Sequence, residues 1–160
     1  MVLCLVAATF PDVPPEVQSQ LEKAYQKAVL AASYKYVDGM LSLRGPNFQL
    51  FTPTGSTIDL TSENQRFYQL FQKATRIRLT TKMLTIRPKS PDYICSVVHK
   101  LELEGVNLKA RKLTTMIIDT TAQDLWSEYP QGWRMRASQV TRQTISEGGR
   151  IQPAEKVRPW

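Results

Sequence analysis

The sequence predicts an α+β domain whose N-terminal helices pack on the concave face of a strongly curved, mostly antiparallel sheet. Three observations carry this. From Thr75 to Thr144 apolar and polar residues alternate through long segments, as in strands with one buried face and one wet face. The breaks between those segments, at Pro88–Asp92, Gly105–Asn107 and Pro130–Gly132, are short, so successive strands pair antiparallel. Ahead of them lie segments of helical periodicity, and the economical cover for their apolar stripes is the apolar face of the sheet.

In chain order, Pro11-Asp12-Val13-Pro14-Pro15-Glu16 marks a helix start, with proline in the first turn and a carboxylate at the positive end of the dipole. Val17, Leu21, Ala24/Tyr25, Ala28 and Ala31/Ala32 follow at helical spacing. Near Ser33 the pattern shifts, and Tyr34, Tyr36, Val37, Met40 and Leu41 read as a second, short helix ending before Arg44-Gly45-Pro46. Asn47–Thr52 and Ser56–Leu60 flank the turn Pro53-Thr54-Gly55 as a small hairpin. A third helix opens at Thr61–Gln65, with Ser62 and Gln65 fitting a capping box and Phe67, Leu70, Phe71 and Ala74 as its stripe.

The first long strand then sets Ile77, Leu79, Thr81 and Met83 against Arg76, Arg78, Thr80 and Lys82. The second sets Cys95, Val97, His99, Leu101 and Leu103 against Ser96, Lys100, Glu102 and Glu104. The third, Leu108 to Trp126, is apolar on both parities, and a β-bulge there would reverse the count. The fourth sets Trp133, Met135, Ala137 and Gln139 against Arg134, Arg136, Ser138 and Arg142.

The chain divides into an apolar N-terminal segment (1–13), one domain (14–146) and an aperiodic, flexible tail (147–160) that begins at Gly148-Gly149. Val2–Ala8 is too short to span a bilayer and lacks the basic start of an export signal. The compartment stays open: cytoplasmic, or periplasmic or secreted if that run is the remnant of a signal. With 42% hydrophobic and 22% charged residues the composition is that of a globular domain, which excludes wholesale disorder.

The net charge of +7 is unevenly placed. Residues 1–72 carry five Lys/Arg and six Asp/Glu, and residues 73–160 carry sixteen and eight, so the sheet half is basic. A basic sheet face attracts nucleic acid or acidic partners. Here Glu102 and Glu104 interrupt it and no stacking aromatics lie among the arginines, so the expectation is a solvated face rather than a nucleic-acid site. Cys4 and Cys95 carry no metal spacing, and with one histidine no metal site is expected. No glycine-rich phosphate loop, dinucleotide fingerprint or nucleophile elbow is present, and no cofactor is expected.

Tyr34-Lys35-Tyr36-Val37-Asp38-Gly39-Met40-Leu41-Ser42-Leu43, leading into Phe48–Gly55, resembles the short helix and hairpin of the nuclear transport factor 2-like superfamily, SnoaL-like branch. Asp124-Leu125-Trp126 followed by Gly132-Trp133-Arg134-Met135 resembles that group's last hairpin. The resemblance covers residues from about 16 to 145 and implies a cone-shaped, cystatin-like domain. Its pocket would lie between helices and sheet, and it would often form a homodimer through the sheet. It implies no single activity.

An enzyme of this type needs an acid or base inside an apolar cavity. Thr81, His99, Thr115 and Gln139 are the polar residues on the apolar parity, and Asp119 joins them if the third strand is bulged. His99 as proton carrier needs a carboxylate to orient it, and Asp119 and Asp38 are the candidates. The plainer reading is a core histidine satisfied by a neighbouring hydroxyl. Asp38 is either a pocket base or a cap at the helix bend, and Tyr25, Tyr34, Trp126, Thr115 and Gln139 are candidate ligand contacts or plain core. Two functions follow: a domain binding a small apolar molecule, extending to lyase or isomerase chemistry, or a non-catalytic dimerising interaction module. Whether the chain is an enzyme stays open at this stage.

Overall fold

A computed structural model describes residues 12–107 and 112–152. The first helix, α1 (Pro15–Ser33), starts with proline in its first turn and buries Leu21, Tyr25, Ala28, Ala31 and Ala32 along one stripe. It stops at Tyr34, where Lys35 takes a positive φ of 55° and turns the chain into α2 (Val37–Leu41). Gly39 belongs in that short helix because the Tyr36 ring lies on it, leaving no room for a Cβ beside Tyr36 Cδ1.

Strands β1 (Arg44–Phe51) and β2 (Thr57–Asp59) form the expected hairpin, and α3 (Leu60–Lys73) follows at once. Its cap differs from the Ser62/Gln65 box. Asp59 caps it, accepting from the Ser62 backbone N–H at 2.9 Å, and this bond holds the Asp59 carboxyl below its usual range. The long strands are β3 (Ala74–Lys89), β4 (Asp92–Asn107), β5 (Lys112–Tyr129) and β6 (Gly132–Glu147). Gly105–Asn107, expected as a turn, is the end of β4.

The sheet is curved and mostly antiparallel, ordered β2-β1-β6-β5-β4-β3. Among the described residues, the one parallel contact joins β1 to β6, with Arg44 opposite Met135 and Phe51 opposite Gln139. Gly148 and Gly149, both at positive φ, turn the chain back so that β7 (Arg150–Gln152) pairs with β6. Part of the expected tail is therefore ordered strand. Residues 153–160, the first eleven residues with Cys4, and 108–111 lie outside the described residues.

Bulges decide which side chains face inward. The β4–β5 register runs unbroken, so the bulge considered for β5 is absent and its even-numbered residues from Met116 to Trp126 face the concave side. The extra residues sit elsewhere, at Thr75 and Leu84 in β3 and at Arg136 and Thr141 in β6. Beyond Arg136 the parity of β6 reverses: Ser138 and Val140 are buried, and Gln139 is exposed.

The helices and the concave face share one core, which includes Leu21, Tyr25, Phe71, Ile77, Ile86, Val97, Leu101, Ile118, Trp126 and Trp133. Trp133 is anchored to α1 through its indole N–H, which donates to Gln20 Oε1 at 2.7 Å. Among the described residues, no helix is long and apolar enough to cross a membrane.

Candidate functional site

Three features occupy the space between helices and sheet. The first is a buried polar chain. Trp126 Nε1–H donates to the Tyr25 hydroxyl at 2.8 Å, and that hydroxyl donates to Asp124 Oδ2 at 2.7 Å. Tyr25 comes from α1, while Asp124 and Trp126 are alternate inward residues of β5, so the chain ties helix to sheet. Burial, and then the Asp124 charge, push the Tyr25 hydroxyl well above its usual pKa. Asp124 is 0% exposed and its Oδ1 has no partner. Cys95 faces Asp124 across β4 and β5, and burial pushes its thiol up to about 12, which makes it an inert core residue.

His99 meets the same carboxylate from further along β4. Its Nε2 is 3.7 Å from Asp124 Oδ2 and its Nδ1 is 2.9 Å from Thr81 Oγ1. The expected hydroxyl partner is thus present, and the orienting carboxylate is Asp124 rather than Asp119 or Asp38. An imidazole held between a hydroxyl and a carboxylate can carry a proton, provided a substrate reaches it.

The second feature is an ion cluster beside α3. Arg44, the first residue of β1, is sandwiched between the Phe48 and Phe67 rings, with its guanidinium carbon 4.8 Å from each centroid. It donates to Asn64 Oδ1 at 2.8 Å and lies 3.4 Å from Glu63 Oε1, while Arg66 donates to Glu63 Oε2 at 2.8 Å. Burial draws the Arg44 guanidinium down to about 10. Burial also raises the Glu63 carboxyl above its usual range, outweighing the pull of the two arginines.

The third feature is a cavity of about 210 Å³ at the α3 end of the sheet. Leu70, Ala74, Leu103 and Met116 form its apolar walls, and Arg66, Lys73, Glu104 and Glu147 stand around it. It is not the chamber of the polar chain. Leu103 lies four residues beyond His99 on β4, about 13 Å along the strand, and twice that from the Cys95–Asp124 row.

Of the residues expected from sequence, the structure brings His99, Tyr25 and Trp126 together, and Tyr25 and Trp126 are buried there. The rest lie elsewhere. Asp38 is exposed and accepts from the Tyr68 hydroxyl, so it braces α2 against α3 rather than facing the core. Tyr34 is 77% exposed on the α1–α2 link. Asp119 and Thr115 are exposed because β5 carries no bulge, and Gln139 is exposed because β6 does. On the convex face Arg76 lies 3.6 Å from Glu104, Arg78 lies 4.0 Å from Glu102, and Arg136 lies 3.5 Å from Asp92, so its basic residues are interleaved with carboxylates.

Asp124, Arg44 and Glu63 were not among the expected site residues. Asp124 was recoverable by counting back two from Trp126 in an unbulged strand. Nothing in the local sequence marks Arg44, which reads as the edge of a turn.

No family profile matches the chain, and no curated protein matches it in sequence. Solved structures do match in shape. A conserved protein from Planctomyces limnophilus superposes with a TM-score of 0.67 at 10% identity, over 79% of this chain and 95% of that one. A domain of unknown function with a cystatin-like fold from Nostoc punctiforme gives 0.60 at 15% identity, over 81% and 79%. An NTF2-like protein from Cytophaga hutchinsonii gives 0.56 at 15% identity, over 81% and 98%. The fold is NTF2-like. At such identities the NTF2-like likeness speaks for the fold alone, and the chemistry has to come from the residues above.

Proposed function

We propose that this NTF2-like domain binds a small, largely apolar molecule in the cavity between α3 and the far end of the sheet. The observation that carries the reading is the cavity itself, with four apolar walls and charged side chains around it. An apolar cavity of about 150 Å³ already accepts a benzene-sized guest, and this one is about 210 Å³. Acid–base chemistry on the ligand, with His99 as proton carrier, requires a substrate long enough to span the distance from Met116 to His99. The reading therefore rests on binding and does not include catalysis.

Met116 makes a convenient reporter. In protein labelled at the methionine methyls, benzyl alcohol or hexanamide should shift the Met116 resonance and leave that of Met40 in place. A Met116 resonance that stays put up to the solubility limit of both compounds rules the reading out.

A second reading, dimerisation through the convex face, is favoured by a separate observation. Ile94, Val98, Ile117, Leu125 and Ala137, on the outward parity of the central strands, are only half-buried amid polar neighbours. Of these, Ile94, Leu125 and Ala137 form one row across three strands, and an apolar row of this kind suits self-association. Light scattering should give twice the chain mass, and the single-chain mass at every concentration would exclude the dimer.

A further inference from the structure

The charges around the cavity are not evenly engaged. Arg44 and Arg66 share the one carboxylate of Glu63, which leaves that cluster with an excess positive charge. Arg66 spends Nη1 on Glu63, while its Nε is buried with no partner. About two helical turns further along α3, Lys73 adds a second cation beside the same cavity. Across from them, Glu104 is engaged by Arg76 at 3.6 Å, and Glu147 has an interaction of its own. Counting Arg44, Arg66, Lys73 and Arg76 against Glu63, Glu104 and Glu147, cations exceed carboxylates by one in and beside the cavity lining. Against this stands the C-terminal end of α3, whose carbonyls favour a cation; Lys73, in the last turn, answers part of that field.

We propose that the ligand class is a small monocarboxylate, its apolar part against Leu70, Leu103 and Met116 and its carboxylate directed to Arg66 and Lys73. This rests on the cavity-binding reading above. The Arg66 guanidinium lines the cavity, a planar charged donor group suits a carboxylate, and charge assistance makes such a contact stronger than its neutral counterpart. The cavity size limits the apolar part to a single ring or a chain of about six carbons.

The test compares three probes of one length, hexanoate, hexanamide and hexylamine, each followed at the Met116 methyl. Hexanoate is expected to bind about tenfold more tightly than hexanamide at low salt, and hexylamine more weakly than either. The advantage should shrink as salt is added. Lys73→Gln, at the exposed rim, and Arg66→Lys, which keeps the charge but loses the guanidinium edge, should each reduce the hexanoate advantage by about threefold. In both variants hexanamide should lose less affinity than hexanoate. Equal binding of hexanoate and hexanamide, or a preference for the amine, overturns the carboxylate assignment and leaves the cavity-binding reading standing. An advantage that both variants leave unchanged also overturns it. Failure of all three probes to move the Met116 resonance removes both.

Discussion

Replacing Glu63 with alanine is expected to lower the unfolding free energy by about 3–5 kcal/mol, a loss typical of opening a buried ion pair. Glu63 is 4% exposed and is the shared acceptor of two guanidinium groups. Its removal leaves Arg44 and Arg66 facing each other, with Asn64 as the acceptor remaining to Arg44 and Asp124 as a more distant counter-charge. Glu63→Gln should behave differently, because burial already favours the neutral carboxyl and the amide keeps an acceptor in place. A change within about 1 kcal/mol of wild type is expected for it.

The pH dependence separates charge from hydrogen bonding. A carboxyl whose folded pKa is raised adds stability that is fully present below its unfolded value of 4.5. That stability is lost as the pH climbs through the folded value. Wild type should therefore lose stability relative to Glu63→Gln on going from pH 4 toward neutrality. Urea unfolding of the three proteins across that range checks this. A flat difference between wild type and the glutamine variant would show that the carboxyl titrates alike in both states.

Tyr25→Phe is the second large expected effect, about 2–4 kcal/mol for the loss of one oxygen. An ordinary tyrosine-to-phenylalanine change leaves one partner unsatisfied. Here the hydroxyl both receives the Trp126 indole N–H and donates to Asp124, so two buried groups lose their bond together, one of them a carboxylate with an orphaned second oxygen. Asp124→Asn in the Tyr25→Phe background should recover part of the loss, because a neutral amide costs less to leave unpaired in this site. Calorimetric or urea unfolding measures both. A Tyr25→Phe protein as stable as wild type would mean that the polar chain is hydrated.

Periodicity made the helices, the small hairpin and the four long strands legible, because each shows its buried stripe within a dozen residues of itself. What stayed hidden depends on one-residue offsets or on distant partners. The extra residue at Arg136 moves Gln139 from the core to solvent and Ser138 from solvent to the core, and no local pattern announces it. The parallel seating of β1 on β6 joins positions almost a hundred residues apart, and it is what carries Arg44 inside. The candidate site shows the same division. Tyr25, His99 and Trp126 were readable from their stripes, whereas the cavity at Met116 depends on how α3 meets the sheet, a tertiary fact. Asp38 and Tyr34 look like pocket residues only while the bend between α1 and α2 is assumed to point inward.

The β1–β6 pairing also bears on the order in which the chain can mature during synthesis. At about 5–20 residues per second, a ribosome needs on the order of 5–20 s after releasing β1 to supply the strand that β1 lies against. Through that interval β1 and the outer edge of β5 lack the strand that joins them in the sheet. The nascent chain is therefore most in need of chaperone shelter before its last fifth emerges, and truncations that end ahead of Gly132 should accumulate as aggregates rather than as smaller soluble domains.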